Sequence, residues 1–243
     1  MNANEFVSET YRRGAELMPN GPVVIQVASF LDTVNPTDIS LYENILPSDK
    51  HSKIIDIGSG NGHFLAACHK LGYEDIRAAD FRAVDKFSLV TEALSAIKTE
   101  DFEGSIAEYF AKKNSEYDVI NFSHVIEHIP KYSLIETMDA LCNALRPGGK
   151  IIVRTPNMEG PSALSSYYVT LAHEYGFVGS NLHQLLHICG FKEIEFIDID
   201  IHFGLLRRLI RLPFKAYQRV KSRLFGVNQG RQFGSELIAI ATR

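Results

Sequence analysis

The 243 residues, 45% hydrophobic and 22% charged, suffice for one large α/β domain with a full core and exclude disordered and fibrous classes. No apolar run approaches the ~20 residues needed to span a bilayer, and the opening MNANEFVSETYRRGAEL lacks a signal-peptide core, so a cytoplasmic protein is expected. The net charge of −4 is unevenly spread, because residues 201–235 hold eight Lys/Arg and no acid; one basic face on an otherwise acidic molecule follows.

Residues 1–50 carry helical patterns and stop at Pro47, Ser48 and Asp49, which predicts a helical N-terminal cap. From residue 51 on, short β-rich runs alternate with helix-length segments: KIIDI, then Asn61 to Leu71; DIRAAD, then Val84 to Leu94; SAIKT, then Ile106 to Lys113. YDVINF precedes Tyr132 to Leu145, GKIIVRT precedes Leu182 to Cys189, and KEIEFIDI follows. Such alternation predicts a doubly wound, Rossmann-like sheet, mostly parallel, with helices on both faces. A basic helical insert at 201–234, with an apolar stripe broken at Pro213, separates the sixth strand from ELIAIAT, which is expected to close the sheet as its seventh strand. Cys68, Cys142 and Cys189 lie far apart with no C-x-x-C pair, which predicts buried free thiols.

In IIDIGSGNGHF, Gly58, Gly60 and Gly62 follow a predicted strand and open a predicted helix, so the backbone turns sharply and approaches a ligand closely. The sixth position of a dinucleotide fingerprint is His63 rather than glycine, and no G-K-[ST] is present, so phosphate is not favoured. Asp56, two residues before the first glycine, suits a cationic or hydroxylated ligand. Asp80 ends the second strand about 20 residues on, where a carboxylate accepts both hydroxyls of a ribose. The combination calls for a nucleoside without phosphates.

These residues resemble the first motif of the class I S-adenosylmethionine-dependent methyltransferases, D-x-G-x-G-x-G. The resemblance runs on through YDVINFSHVIEHIP, ALRPGGKIIVRTPN and YYVTLAHEYGFVGSNLHQLLHICGF, covering roughly residues 50 to 200, within a methyltransferase domain expected over 51–243. It implies that Gly58, Ser59, Gly60 and Gly62 pass beneath the methionine part of S-adenosylmethionine. It further implies that Asp80 holds the ribose, Phe81 packs on the adenine, and Asp101 with Phe102 borders the adenine amino group.

HVIEH places His124, Glu127 and His128 just past the fourth strand, where an acceptor approaches the methyl group; His173 in LAHEYGF is a further candidate. A hydroxyl acceptor must lose a proton, so these histidines are candidate general bases. The letters H-x-x-E-H also spell a zinc-protease pattern, but the preceding strand and Pro130 leave it no helical platform. Ubiquinone-pathway and small-RNA relatives carry E-x-x-E-H and a later His that bind a divalent metal. The match here is at Glu127, His128 and His173, with His124 in place of the first Glu, a loss that disfavours a hard ion such as Mg²⁺.

The stretch from Thr155 to Phe191 is similar to that of bacterial O-antigen and capsule polysaccharide methyltransferases, though Val169 to Ala172 depart from their pattern. The resemblance implies O-methylation of a sugar hydroxyl; a saccharide site needs polar side chains with aromatics for sugar faces, a mixture that Asn157, Tyr167, Tyr168 and Tyr175 supply. Other readings are a small-molecule or RNA methyltransferase, or a non-catalytic cofactor-binding partner. The basic insert suggests peripheral contact with an anionic membrane face, with nucleic acid the rival for its charge.

Overall fold

A computed structural model describes residues 34–60, 62–80, 97–100, 102, 104–160, 162–197 and 234–243, with Leu212, Pro213, Ala216 and Val220 as isolated further positions. The expectations placed on residues 1–33, the Val84 to Leu94 helix, Phe81, Asp101 and the rest of the basic insert lie outside the described residues.

In chain order the elements are α1 Pro36–Ile45, β1 Lys53–Ile57, α2 His63–Lys70, β2 Asp75–Ala79, β3 Ile97–Glu100, α3 Ile106–Phe110 and β4 Tyr117–Ser123. They continue with α4 Leu134–Ala144, β5 Leu145–Pro156, α5 Ala163–Tyr167, α6 Gly179–Ile188, β6 Lys192–Ile197 and β7 Glu236–Thr242. The strands form one seven-stranded sheet in the order β3-β2-β1-β4-β5-β7-β6. β1 to β5 run parallel, and β7 is antiparallel to both of its neighbours.

Successive residues of a strand point to opposite faces, so the continuous apolar runs of the central strands build two cores. Ile55, Ile120, Ile151 and Val153 pack with Phe110 of α3, Leu141 of α4 and Leu182 and Leu186 of α6. Their chain neighbours Ile54, Val119 and Ile152 pack on the other face with Leu41 and Tyr42 of α1 and Phe64 and Leu65 of α2. Cys68, Cys142 and Cys189 are free and buried.

β7 is the seventh strand but not the edge of the sheet. Leu237 to Ala241 are all buried, and such a run needs a strand on either side. The edge belongs instead to β6, whose Lys192, Glu193 and Glu195 tolerate water and discourage further pairing. β5 also starts earlier than expected, because Leu145 pairs with Tyr117 before a register shift between Tyr117 and Val119 absorbs the Pro147–Gly149 turn.

Candidate active site

The glycines sit at the carboxyl end of β1, on the turn that delivers the chain into α2. Gly58, Gly60 and Gly62 have φ of +68°, +52° and +74°, the left-handed region where a side chain is strained. A Cβ on Gly58 would run into Val125 Cγ2, so the turn following β4 packs directly on this backbone. Gly60 donates its N–H to Asp80 Oδ2 at 3.3 Å, which joins the glycine turn to the end of β2. Ser59 Oγ is buried and has no hydrogen-bond partner among the described residues, a polar atom that a ligand over the turn would satisfy. Asp56, Gly58, Ser59, Gly60, Gly62 and Asp80 thus gather at one sheet edge, whereas Phe102 is buried with its ring 5.1 Å from that of Tyr109.

Asp56 is buried and accepts from Asn121 Nδ2 at 2.6 Å. Burial pushes its carboxyl up to about 7, the Asn121 bond opposes this, and the Asp80 charge adds to it. The folded state therefore keeps a proton that the unfolded chain, titrating near ~3.9, releases. Stability without cofactor is expected to fall as pH rises from ~4 to ~7, by a few kcal/mol at most. Asp56→Asn keeps the acceptor oxygen for Asn121 and should abolish this slope in unfolding measured across that range. A slope unchanged in the variant would assign it to another group.

At the end of β4 the chain turns through His124, at φ +55°, into a single 3₁₀ turn over Ile126–His128, and Ile129 is extended. This is no platform for a zinc-protease helix. The turn is tied to the 173 loop because the Glu127 carbonyl accepts the N–H groups of Glu174 and Tyr175 at 2.8 and 3.2 Å. Glu127, His128 and His173 consequently meet, with ligand atoms all within 4.8 Å of one another. Glu127, 2% exposed, accepts from Thr155 Oγ1 at 3.0 Å and lies 3.3 Å from His124 Nδ1.

The other nitrogens of the cluster are equally committed. His128 Nδ1 lies 2.9 Å from the Ala172 carbonyl and His173 Nδ1 2.8 Å from that of Tyr167. A carbonyl only accepts, so each Nδ1 donates, and in the neutral ring the basic nitrogen is Nε2. His124 differs, lying between two acids, with Nε2 3.1 Å from Glu236 Oε1. Partial burial disfavours its charge, but the bonds to Glu127 and Glu236 outweigh this and push it up to about 9. Glu236, despite burial, is held down to about 2 by His124 and Arg154.

A cavity of about 620 Å³ opens on this cluster. Its lining includes His124, Glu127, His128, His173 and Glu236, the hydroxyl residues Ser162, Ser165, Ser166, Thr170 and Ser235, and the apolar Pro156 and Val169. Among the described residues, Asn157, Tyr167, Tyr168 and Tyr175 do not line it. Asn157 instead braces the loop by donating to the Gly234 carbonyl at 2.9 Å, Tyr168 is exposed, and Tyr175 packs edge-on to Phe177. Glu236, Thr155 and the serines escaped the sequence reading: isolated Ser, Thr and Glu carry no spacing signal until the fold assembles them.

Residues 35–195 match the family described as Methyltransferase domain. The chain belongs to that family. A "Ubiquinone biosynthesis O-methyltransferase" of Idiomarina loihiensis is 27% identical over 155 residues, 63% of this methyltransferase-family chain and 62% of the relative, so the chain spans less than two thirds of that relative's length. A SAM-dependent methyltransferase from Archaeoglobus fulgidus shares the fold at a TM-score of 0.60 and 19% identity, over 85% of this chain and 93% of that one. A Burkholderia thailandensis 1,6-didemethyltoxoflavin-N1-methyltransferase, solved with its acceptor and S-adenosylhomocysteine, does so at 0.59 and 13%, over 99% and 86%. No helix among the described residues is long and apolar enough to cross a membrane.

Proposed function

We propose that this chain transfers the methyl group of S-adenosylmethionine to a hydroxyl of a polar, saccharide-like acceptor, as in surface-polysaccharide synthesis. The observation that carries the acceptor class is the set of hydroxyl residues Ser162, Ser165, Ser166, Thr170 and Ser235 that line one cavity with Glu127, His128 and His173. These hydroxyls exchange hydrogen bonds with a polyol, while the larger, apolar part of the lining packs on an acceptor's carbon faces. The cofactor reading is supported by the left-handed glycines, the unsatisfied Ser59 Oγ and Asp80 beside them. The Idiomarina relative supports transfer to oxygen and favours a second reading, a phenolic acceptor against Pro156 and Val169.

Among the histidines, His128 and His173 take the part of base, since the carbonyls at Nδ1 select Nε2 as the basic nitrogen of the neutral ring. His124, sandwiched between acids, holds charge instead. One ring nitrogen each of His128 and His173 with a Glu127 oxygen would fit a divalent ion, which would polarise the acceptor oxygen, and two imidazoles with one carboxylate suit a transition ion better than Mg²⁺.

Calorimetry tests the cofactor, and methyl incorporation into nucleotide sugars, extracted glycans and phenols tests the acceptor. S-adenosylmethionine is expected to bind, and Asp80→Ala to weaken it by ~1–3 kcal/mol through loss of charged hydrogen bonds to two hydroxyls. Binding of NAD in its place would overturn the reading; methylation of phenols alone would replace the saccharide.

A further inference from the structure

Glu236 opens β7 and pairs in register with Pro156 across the β5–β7 ladder, which carries it from far along the chain to the rim of the acceptor cavity. Its two oxygens are divided between partners. Oε2 accepts from Arg154 Nε at 2.8 Å and Nη2 at 2.6 Å, while Oε1 faces His124 Nε2 at 3.1 Å. The guanidinium reaches on to Asp38 of α1, with Nη1 3.5 Å from Oδ1. Arg154 and Glu236 both stand on strands, so the clamp is rigid where a loop-borne pair would drift.

A second, independent observation lies in the backbone. His124 has a left-handed φ, which a residue with a Cβ adopts at a steric cost and keeps only where its surroundings enforce it. Here its N–H donates to the Arg154 carbonyl at 2.7 Å and its ring is pinned between Glu236 and Glu127. The ring bridges the two acids while its side chain stays 45% exposed, so the acids and not burial set its orientation. Glu127 in turn has one oxygen against His124 and the other against Thr155, which aims the carboxylate beside His128 and His173.

We infer that Glu236 is a positioning residue for the transfer: anchored by Arg154, it fixes the His124 ring and, through that ring, the Glu127 carboxylate that faces the acceptor. The geometry stands by itself, and only its consequence for turnover rests on the methyl-transfer reading. A plain ion pair tying β5 to β7 would affect stability without touching His124.

The experiment uses the full chain, labelled with ¹⁵N-histidine and saturated with S-adenosylhomocysteine, with the His124 signals assigned by their loss in His124→Gly. Glu236→Ala is expected to abolish the hydrogen-bonded His124 Nε2–H resonance. It should also lower kcat on the best acceptor from the screen about tenfold or more, as loss of a residue that orients a working side chain does. S-adenosylhomocysteine affinity should stay within about twofold. Glu236→Gln, which keeps an acceptor oxygen for the ring, should retain the resonance and recover part of the turnover. An unchanged His124 resonance in Glu236→Ala, or a fall in cofactor affinity matching that in kcat, would overturn the inference. If no acceptor is methylated the transfer reading fails, and the resonance alone decides the geometry.

Discussion

Methyl transfer by a His128→Ala variant is expected to fall by ~10²–10⁴-fold, the range a positioned general base supplies. The Ala172 carbonyl fixes the ring's tautomer, His173 lies beside it at 4.8 Å between ring centroids, and Glu127 is its chain neighbour. On the proposed reading the cofactor is held by the glycine turn and Asp80 and not by His128, so S-adenosylhomocysteine affinity should be unchanged and the loss should lie in kcat. Single-turnover kinetics with calorimetry separates the two, and turnover that survives the substitution would remove His128 from the mechanism. Chelation of the wild-type chain divides the roles of this cluster. Activity lost to a chelator and restored by a divalent ion assigns Glu127, His128 and His173 to the ion, and indifference to the chelator assigns the histidines to proton removal.

Gly58→Ala is expected to destabilise the fold by ~2–5 kcal/mol, combining the cost of a side chain in a left-handed backbone with that of overpacking. The added methyl meets Val125, which is β-branched and sits between β4 and the 3₁₀ turn, so relief of the clash moves the turn carrying Glu127 and His128. Cofactor affinity and turnover should therefore fall together. Gly60→Ala is the control, because φ there is also positive but the nearest atom to an added Cβ is the Gly58 carbonyl oxygen at 3.8 Å. Only the backbone cost of ~1–2 kcal/mol is expected in that variant. Equal denaturation midpoints for the two would show that Val125 yields without cost.

Much of this is written in local sequence. The runs KIIDI and ELIAIAT are strands over their whole length, since buried β-branched and apolar residues in short blocks between turns have few other conformations. The glycine turn is equally local: three alternating glycines after a strand demand positive φ, whatever surrounds them. Asp56 and Asp80 were legible because a parallel sheet brings the carboxyl ends of neighbouring strands together.

Three matters were decided by tertiary structure alone. The position of β7 inside the sheet depends on pairing between strands that chain order does not set; the buried run Leu237 to Ala241 and the exposed charges of β6 fit that order once it is formed. The division of labour among the histidines depends on which oxygen each nitrogen faces, and a carbonyl or a carboxylate contributed from 44 or 112 residues away is invisible in the motif HVIEH. The acceptor cavity, with Glu236 and the hydroxyl residues in its lining, exists only after β5 and β7 pair and the 173 loop folds back on Glu127. Short-range periodicity fixes what each segment becomes. Which polar atoms end up sharing one buried space is set by long-range packing, and it is those shared spaces that carry the chemistry.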